Sequence, residues 1–401
     1  MATRQRPIPA TSSTGKSIAT FRTLQSKADG EHAVLDIRLR RATLTGSIAV
    51  TCYYASSTYW GACVSSLAPR LASQLLGFGG APLGNLFAPI GDEESVALVR
   101  HAYERGVRYF DTAPHYGNGL SERRIGAALR GLPRDDYILS SKVGRILVSD
   151  PDAPRAQNGY VDVLPFVQRW DYSRDGTLRS IEDSLQRLDS SRLDVVYIHD
   201  IDRATHGEAQ PLRFRQAMTG AVPALTELRE QGVIDGFGLG VNDWQVCVEA
   251  LDHADMDLLL LAGRYTLLDQ TALPQLLPLC ERRGVGIVVG GPYNSGILAT
   301  GARPRDGGLP YFNYAPAPPD IIARVAAIEA LCAEFGVPLR AAALQFPRGH
   351  RAVVTVIPGA RSIAELDENL ALADWPIAAE FWQVLRERGL ICAAAPLPSK
   401  S

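Results

Sequence analysis

Cysteine is scarce in this chain: six in 401 residues, at positions 52, 63, 247, 280, 332 and 392. None stands in a Cys-x-x-Cys pair or has a histidine at ligand spacing, so neither a disulfide framework nor a metal site is expected. They read as free thiols of a reducing cytoplasm, with Cys247 and Cys280 at helical packing positions. Long apolar runs are also missing, and no stretch approaches the roughly 18 residues that span a bilayer. Charge of either sign is nearly balanced, 41 Lys+Arg against 43 Asp+Glu, with a pI near 6.4. That balance gives no reason to expect a nucleic-acid or membrane partner. A last absence concerns the fold: no Gly-x-Gly-x-x-Gly follows the opening strand, which disfavours a doubly wound dinucleotide sheet.

What is present is a regular alternation. Short apolar runs at 75–79, 107–110, 137–140, 195–198, 234–241, 257–261, 285–289 and 353–357 read as eight buried strands. Helical patterns at 93–105, 121–129, 176–188, 221–231, 244–253, 273–283, 321–335 and 340–346 separate them. Strand-then-helix order argues for parallel pairing, and a closed (β/α)8 barrel is the economical solution. One barrel takes roughly 250 residues or more, and we assign it to 71–395. Residues 1–70, rich in Ser, Thr, Ala and Arg, are expected to form a loosely attached or disordered extension, a targeting segment or the product of a misplaced start.

Four strings sit at strand ends: Phe110-Asp111-Thr112-Ala113-Pro114-His115-Tyr116-Gly117, Ser141-Lys142-Val143-Gly144, Tyr197-Ile198-His199-Asp200 and Gly238-Leu239-Gly240-Val241-Asn242. The C-terminal edge is where parallel barrels carry their chemistry. A tyrosine titrates near 10 and serves as an acid or base only with help. Lys142 is expected to lower the Tyr116 pKa, Asp111 to keep Lys142 charged, and His199 to orient a substrate oxygen. Hydride transfer would then need a cofactor, since no side chain accepts hydride. Taken singly the strings are ordinary: Asp111 also reads as a helix cap, His199-Asp200 as a hydrogen-bonded pair, and His115 as a pocket wall.

Together, Asp111, Tyr116, Lys142 and His199 resemble the Asp, Tyr, Lys and His tetrad of the aldo-keto reductases, over about residues 74–375. Trp170-Asp171-Tyr172-Ser173-Arg174-Asp175-Gly176, His199-Asp200-Ile201-Asp202-Arg203 and Gly290-Gly291-Pro292-Tyr293-Asn294-Ser295-Gly296 are similar to the branch that holds aldose 1-dehydrogenases and pyridoxal 4-dehydrogenase. The resemblance implies a TIM barrel that binds NAD or NADP and oxidises a cyclic hemiacetal, such as L-fucose or D-arabinose, to a lactone. Pyridoxal oxidation and NADPH-dependent aldehyde reduction are the alternatives, and a non-enzymatic nucleotide sensor is the reading from another class. Tyr116 would be the acid–base group.

The resemblance also marks departures. Val241-Asn242 stands where many relatives have Ser-Asn, Ala262 where a Gln often sits, and Gly290 where a Tyr stacks on the nicotinamide. Asn242 and the Gly290-Gly291-Pro292 turn are then the expected nicotinamide contacts. Gly359, Arg361, Ser362 and Asn369 resemble the adenosine-phosphate motif, although Arg361 and Ser362 also read as loop and helix caps. With Glu365 nearby and Arg361 the only cation there, NAD is expected over NADP. The 145–175 stretch, interrupted by Pro151, Pro154, Gly159 and Pro165, is expected to act as a lid. Trp170, Asp171 and Trp244 are the candidate substrate contacts, with local packing as their alternative. The 302–319 stretch would overhang the mouth or lie between subunits, and a monomer or homodimer is open.

Overall fold

The eight apolar runs do become strands. A computed structural model describes residues 67–304 and 307–398. In it β1 (Phe78–Gly79), β2 (Tyr109–Asp111) and β3 (Ile138–Val143) are followed by an excursion, β4 (Arg145–Ser149) and β5 (Phe166–Trp170). Then come β6 (Val195–His199), β7 (Gly236–Val241), β8 (Leu258–Ala262), β9 (Gly286–Gly290), the short pair β10 (Tyr311–Phe312) and β11 (Ala315–Pro316), and β12 (Val353–Ile357). A parallel sheet of eight runs in the order β1-β2-β3-β6-β7-β8-β9-β12. Its edges meet: Gly77 N donates to Val356 O and Gly79 N to Pro358 O, both at 3.0 Å, and Gly79 bridges Gly359. The sheet is therefore rolled into a (β/α)8 barrel.

Strands covered on both faces are rich in apolar residues; β7 and β9 are buried throughout, and so is β3, although it carries the polar Ser140, Ser141 and Lys142. The two-residue period divides the labour. Tyr109, Ile138, Val195, Tyr197, Leu258, Leu260, Val288 and Ile357 fill the lumen, while Phe110, Leu139, Val196, Ile198, Leu259, Val289 and Val356 face the helices. Those helices lie within three residues of their expected bounds, for example Asp92–Glu104, Arg174–Leu188 and Leu276–Arg283. Ser173 starts the second of these by accepting from Gly176 N at 3.1 Å.

A helix at Leu67–Ala72 closes the N-terminal end of the barrel. Leu67 and Leu71 are fully buried and join the lumen cluster, and a Cβ built on Gly236, the first residue of β7, would lie 3.0 Å from Leu67 Cδ2. The expected 70/71 boundary falls inside this helix. The rest of the expected extension, with Cys52 and Cys63, lies outside the described residues. Among the described residues Cys247, Cys280 and Cys332 are buried free thiols, Cys392 is an exposed one, no cluster could hold a metal, and no helix is long and apolar enough to cross a membrane.

The 145–175 stretch has more structure than its prolines suggested. β4 and β5 pair antiparallel from Arg145 opposite Trp170 to Ser149 opposite Phe166, and the prolines fall in the link between them. The link runs back along the loop after β1, with Phe87 N donating to Gly159 O at 2.9 Å and Val161 N to Asn85 O at 3.1 Å.

Candidate active site

Asp111 closes β2, Lys142 is the penultimate residue of β3, and His199 ends β6. Tyr116 stands in the tight loop that follows β2. Gly117 there has φ 66°, and a Cβ on it would lie 2.4 Å from Gly84 O, so only glycine lets the two backbones pack and fix Tyr116 over the lumen. All four expected residues come together. Lys142 Nζ donates to Asp111 Oδ2 at 2.6 Å and to Thr112 O at 2.8 Å, with both charged side chains about 2 % exposed or less. The same ammonium lies 4.8 Å from the Tyr116 ring centroid, and the Tyr116 and His199 rings meet edge-to-face at 6.1 Å.

Burial is the largest influence on the ionisation of each. It raises Asp111 and lowers Lys142, and each is held back chiefly by the other's charge. His199 is pushed well below the usual imidazole range by burial and then by Arg145 and Lys142, so its ring is neutral and acts through hydrogen bonds. Tyr116 is raised well above the usual phenol range by burial and then by Asp111. Lys142, expected to lower it, faces the ring 4.8 Å from its centroid. Asp111 balances the ammonium, which faces the ring, and desolvation wins.

Above these groups is a cavity of about 400 Å³. Tyr116, Lys142 and His199 form its base; Phe87, His115, Tyr160 and Tyr314 give it aromatic walls; Asn158, Asp200 and Asn242 supply polar edges. The walls come from the loop after β1, the β4–β5 link and the β10–β11 turn, so both irregular stretches overhang the mouth. Asp200 holds φ 50°, rare for a residue other than glycine. Its carboxylate pairs with Arg145 and lies 3.5 Å from His199 Nε2. Arg145 stacks 3.9 Å over Trp170 and donates to Gln168 Oε1 at 3.0 Å, an oxygen also 3.0 Å from His115 Nδ1.

The three expected substrate contacts do not line this cavity. Trp170 supports Arg145 from behind. Asp171 Oδ1 accepts from Ser173 N at 2.9 Å, and a Cβ on Gly176 would lie 2.3 Å from its Cγ, so it is packed at a helix start. Trp244 opens the helix behind the Asp243 cap and packs on the outer core. Asp200, Tyr160, Phe87 and Tyr314 take their place. Asp200 left a signal in its position next to His199, and Tyr160 and Tyr314 lie in the two stretches expected to cover the mouth, whereas Phe87 left none.

The pattern of the aldo/keto reductase family matches residues 75–388. The chain belongs to that family. This aldo-keto reductase is 45 % identical over 327 residues to a pyridoxal 4-dehydrogenase of Microbacterium luteolum, covering 79 % of this chain and 94 % of the relative. It is 38 % identical over 331 residues to a D-threo-aldose 1-dehydrogenase of a Pseudomonas species, covering 82 % and 97 %. Among solved structures it matches the holo form of an aldo-keto reductase from Bacillus halodurans with TM-score 0.60 and 27 % identity, over 80 % of this chain and 93 % of that one.

Members of the family work with NAD(P)H, and the residues at hand fit the nicotinamide end of such a cofactor. Among the described residues His199 Nδ1 is buried without a partner, and Asn242 lines the cavity with its amide 3.4 Å from Ala262 O. Gly290 and Gly291 do not line that cavity; a Cβ on Gly290 would lie 3.2 Å from Leu260 Cδ2 and 3.5 Å from Ala262 Cβ. Pro292 is buried under the same turn. The adenosine end is more heavily committed. Gly359 closes the barrel against Gly79, with Pro82 where its Cβ would be. Arg361 spends its guanidinium on Leu86 O, Ala88 O and Pro89 O at 3.0 to 3.2 Å, matching the loop-cap reading of this residue. Ser362 caps the Ile363–Ala373 helix through Glu365 N at 3.2 Å, and Glu365 Oε2 accepts from Arg361 N at 2.8 Å. Asn369 Oδ1 accepts from Tyr293 at 2.6 Å and Arg340 at 3.1 Å.

Proposed function

We propose that this aldo-keto reductase is an NAD-dependent dehydrogenase of cyclic hemiacetals, with an aldose such as L-fucose or D-arabinose giving the lactone. The observation that carries the reading is the Asp200 carboxylate beside His199 Nε2 at the cavity edge. A fixed anion there suits a substrate with a hydroxyl next to the reacting carbon, and a simple aldehyde offers none.

Bound nicotinamide would accept hydride from the ring carbon. Tyr116, as its phenolate, takes the proton of the hydroxyl on that carbon, and the C–O bond becomes the lactone carbonyl. His199, neutral, donates to or orients the same oxygen. Lys142 and Asp111 hold a balanced pair beneath Tyr116, and the aromatic walls limit water. The Glu365 carboxylate at the helix start, with Arg361 bound to three carbonyls, disfavours a 2′-phosphate and supports NAD over NADP.

A second reading, pyridoxal oxidation, is favoured by the 45 % identical relative and by the flat Tyr116–Tyr160 stack, 6.1 Å apart at 27°, which suits an aromatic ring. The test is formation of reduced cofactor by purified protein with NAD or NADP against L-fucose, D-arabinose, L-galactose and pyridoxal, with simple aldehydes in reverse. Oxidation of a sugar with NAD that is lost in Tyr116→Phe supports the proposal. Oxidation of pyridoxal alone selects the second reading, and aldehyde reduction by NADPH with silence on every hemiacetal removes both.

A further inference from the structure

The polar structure beneath Lys142 continues past Asp111. Ser140 Oγ lies 2.7 Å from Asp111 Oδ1, Tyr109 OH 3.1 Å from Ser140 Oγ, and Tyr197 OH 3.1 Å from Tyr109 OH. Ser140, Tyr109 and Tyr197 are fully buried. Proton positions follow from the anion. An ionised carboxylate only accepts, so Ser140 must give Asp111 its single proton; Tyr109 must then donate to Ser140, and Tyr197 to Tyr109. Three hydroxyls point one way, at the carboxylate oxygen that Lys142 does not hold.

The far end is closed. Tyr197 lies in the lumen cluster with Leu67 and Leu71 of the plugging helix, so the chain leads to no solvent and is not a proton exit. Most other lumen positions of the strands, among them Ile138, Val195, Leu258, Leu260, Val288 and Ile357, are apolar, and the buried Thr355 hydroxyl opposite Val288 makes no hydrogen bond, so the linked run Ser140–Tyr109–Tyr197 is set apart by its partners. Buried hydroxyls linked in this way need a polar reason.

We propose that Ser140, Tyr109 and Tyr197 are positioning residues that keep Asp111 ionised and thereby keep Lys142 charged beneath Tyr116. The inference rests on the reading of Tyr116, Lys142 and Asp111 as the acid–base machinery. Donors aimed at a carboxylate favour its anion, and a chain of them polarises toward the charge. The other ionisable groups facing the pair are Glu122 from the helix after β2, Tyr116 and His115 from the loop before it, Arg145 from β4, and His199 and Asp200 from the end of β6. Among the described residues, Lys142 and Ser140 are the side chains that hydrogen-bond the Asp111 carboxylate.

The test is kcat and KM across pH for the full chain carrying Ser140→Ala, Tyr109→Phe or Tyr197→Phe, in the oxidative direction, with cofactor affinity and Tm measured alongside. Ser140→Ala is expected to lower kcat about tenfold, the scale of a hydrogen bond to a charged group, with smaller losses for Tyr109→Phe and then Tyr197→Phe. KM and cofactor affinity stay near the parent's. The sign on pH is fixed: without the donors Asp111 takes up a proton at higher pH, so the acid limb of kcat moves upward by about one unit. Ser140→Thr, which retains the hydroxyl, keeps the parent profile. Variants that lose Tm but keep the parent's pH profile would overturn the proposal, as would a uniform loss in all three with no shift. Activity surviving in Tyr116→Phe would instead bring down the reading on which it rests.

Discussion

A phenol enclosed beside a carboxylate keeps its proton, and Tyr116 is such a phenol. Oxidation needs the anion, so kcat/KM for hemiacetal oxidation should climb with pH through the alkaline range, and Tyr116→Phe should cost about a hundredfold or more. A pH profile of both proteins checks this, and a parent profile flat above neutrality would contradict it. Asp200→Asn keeps the shape but removes the anion. It should raise KM for a polyhydroxy substrate about tenfold and leave small aldehydes unaffected. His115 is lowered to about 3 by burial and by Arg145. The unfolded chain therefore takes up a proton near 6.5 that the folded one refuses, and stability falls as pH drops from about 6.5 toward 3. Replacing His115 with Gln should remove a contribution on the order of a few kcal/mol, visible as a flatter dependence of Tm on pH in that window. The tetrad was legible in the sequence because Asp111, Lys142 and His199 sit at strand ends, where strand position fixes direction, and Tyr116 follows Asp111 at a short fixed distance. The cavity wall was legible only in part: the 145–175 and 302–319 stretches that carry Tyr160 and Tyr314 read as covers for the mouth, but Phe87 joins them only after three loops, distant in sequence, converge.

At the scale of elements, the strands were readable because burial on two faces favours apolar runs, and helices because each turn must return an apolar stripe to the sheet. The β4–β5 hairpin escaped notice for a definite reason. Its strands are only half-buried in part, and fifteen or so residues of proline-rich link separate them, so no tight-turn signal marks the pairing. The β10–β11 hairpin is shorter still and turns through Asn313 and Tyr314, both at positive φ. Its grip on the mouth is polar: Tyr314 N donates to Ser295 Oγ at 2.9 Å, Arg264 donates to Asn313 Oδ1 at 2.8 Å, and the Tyr314 hydroxyl bonds Asn242. Arg264→Ala should therefore loosen the turn without touching the tetrad. The expected result is weaker cofactor binding, by severalfold, through the turn and through Asn242, whose carbonyl accepts from Arg264 Nε at 2.8 Å, with a stability loss of about 1 kcal/mol for a largely buried hydrogen-bonded side chain. An unchanged cofactor Kd would show that the turn stands on its other contacts.

The whole barrel depends on what fills it. Leu67 and Leu71 stop the lumen at the end remote from the chemistry, and their burial is complete. Leu71→Ala should cost about 2 to 5 kcal/mol, seen as a lower Tm with kcat and KM near the parent's in the folded fraction. Failure to move Tm would mean that the lumen collapses around the loss. With that end stopped and the interior filled by side chains, the cavity under Tyr314 and Phe87 opens on one side of the barrel. If both reactants share that doorway and the cofactor takes Asn242 at the strand end, as proposed, the cofactor goes in first and comes out last. The steady-state signature is a compulsory order of addition: reduced cofactor competes with oxidised cofactor, while a lactone analogue does not.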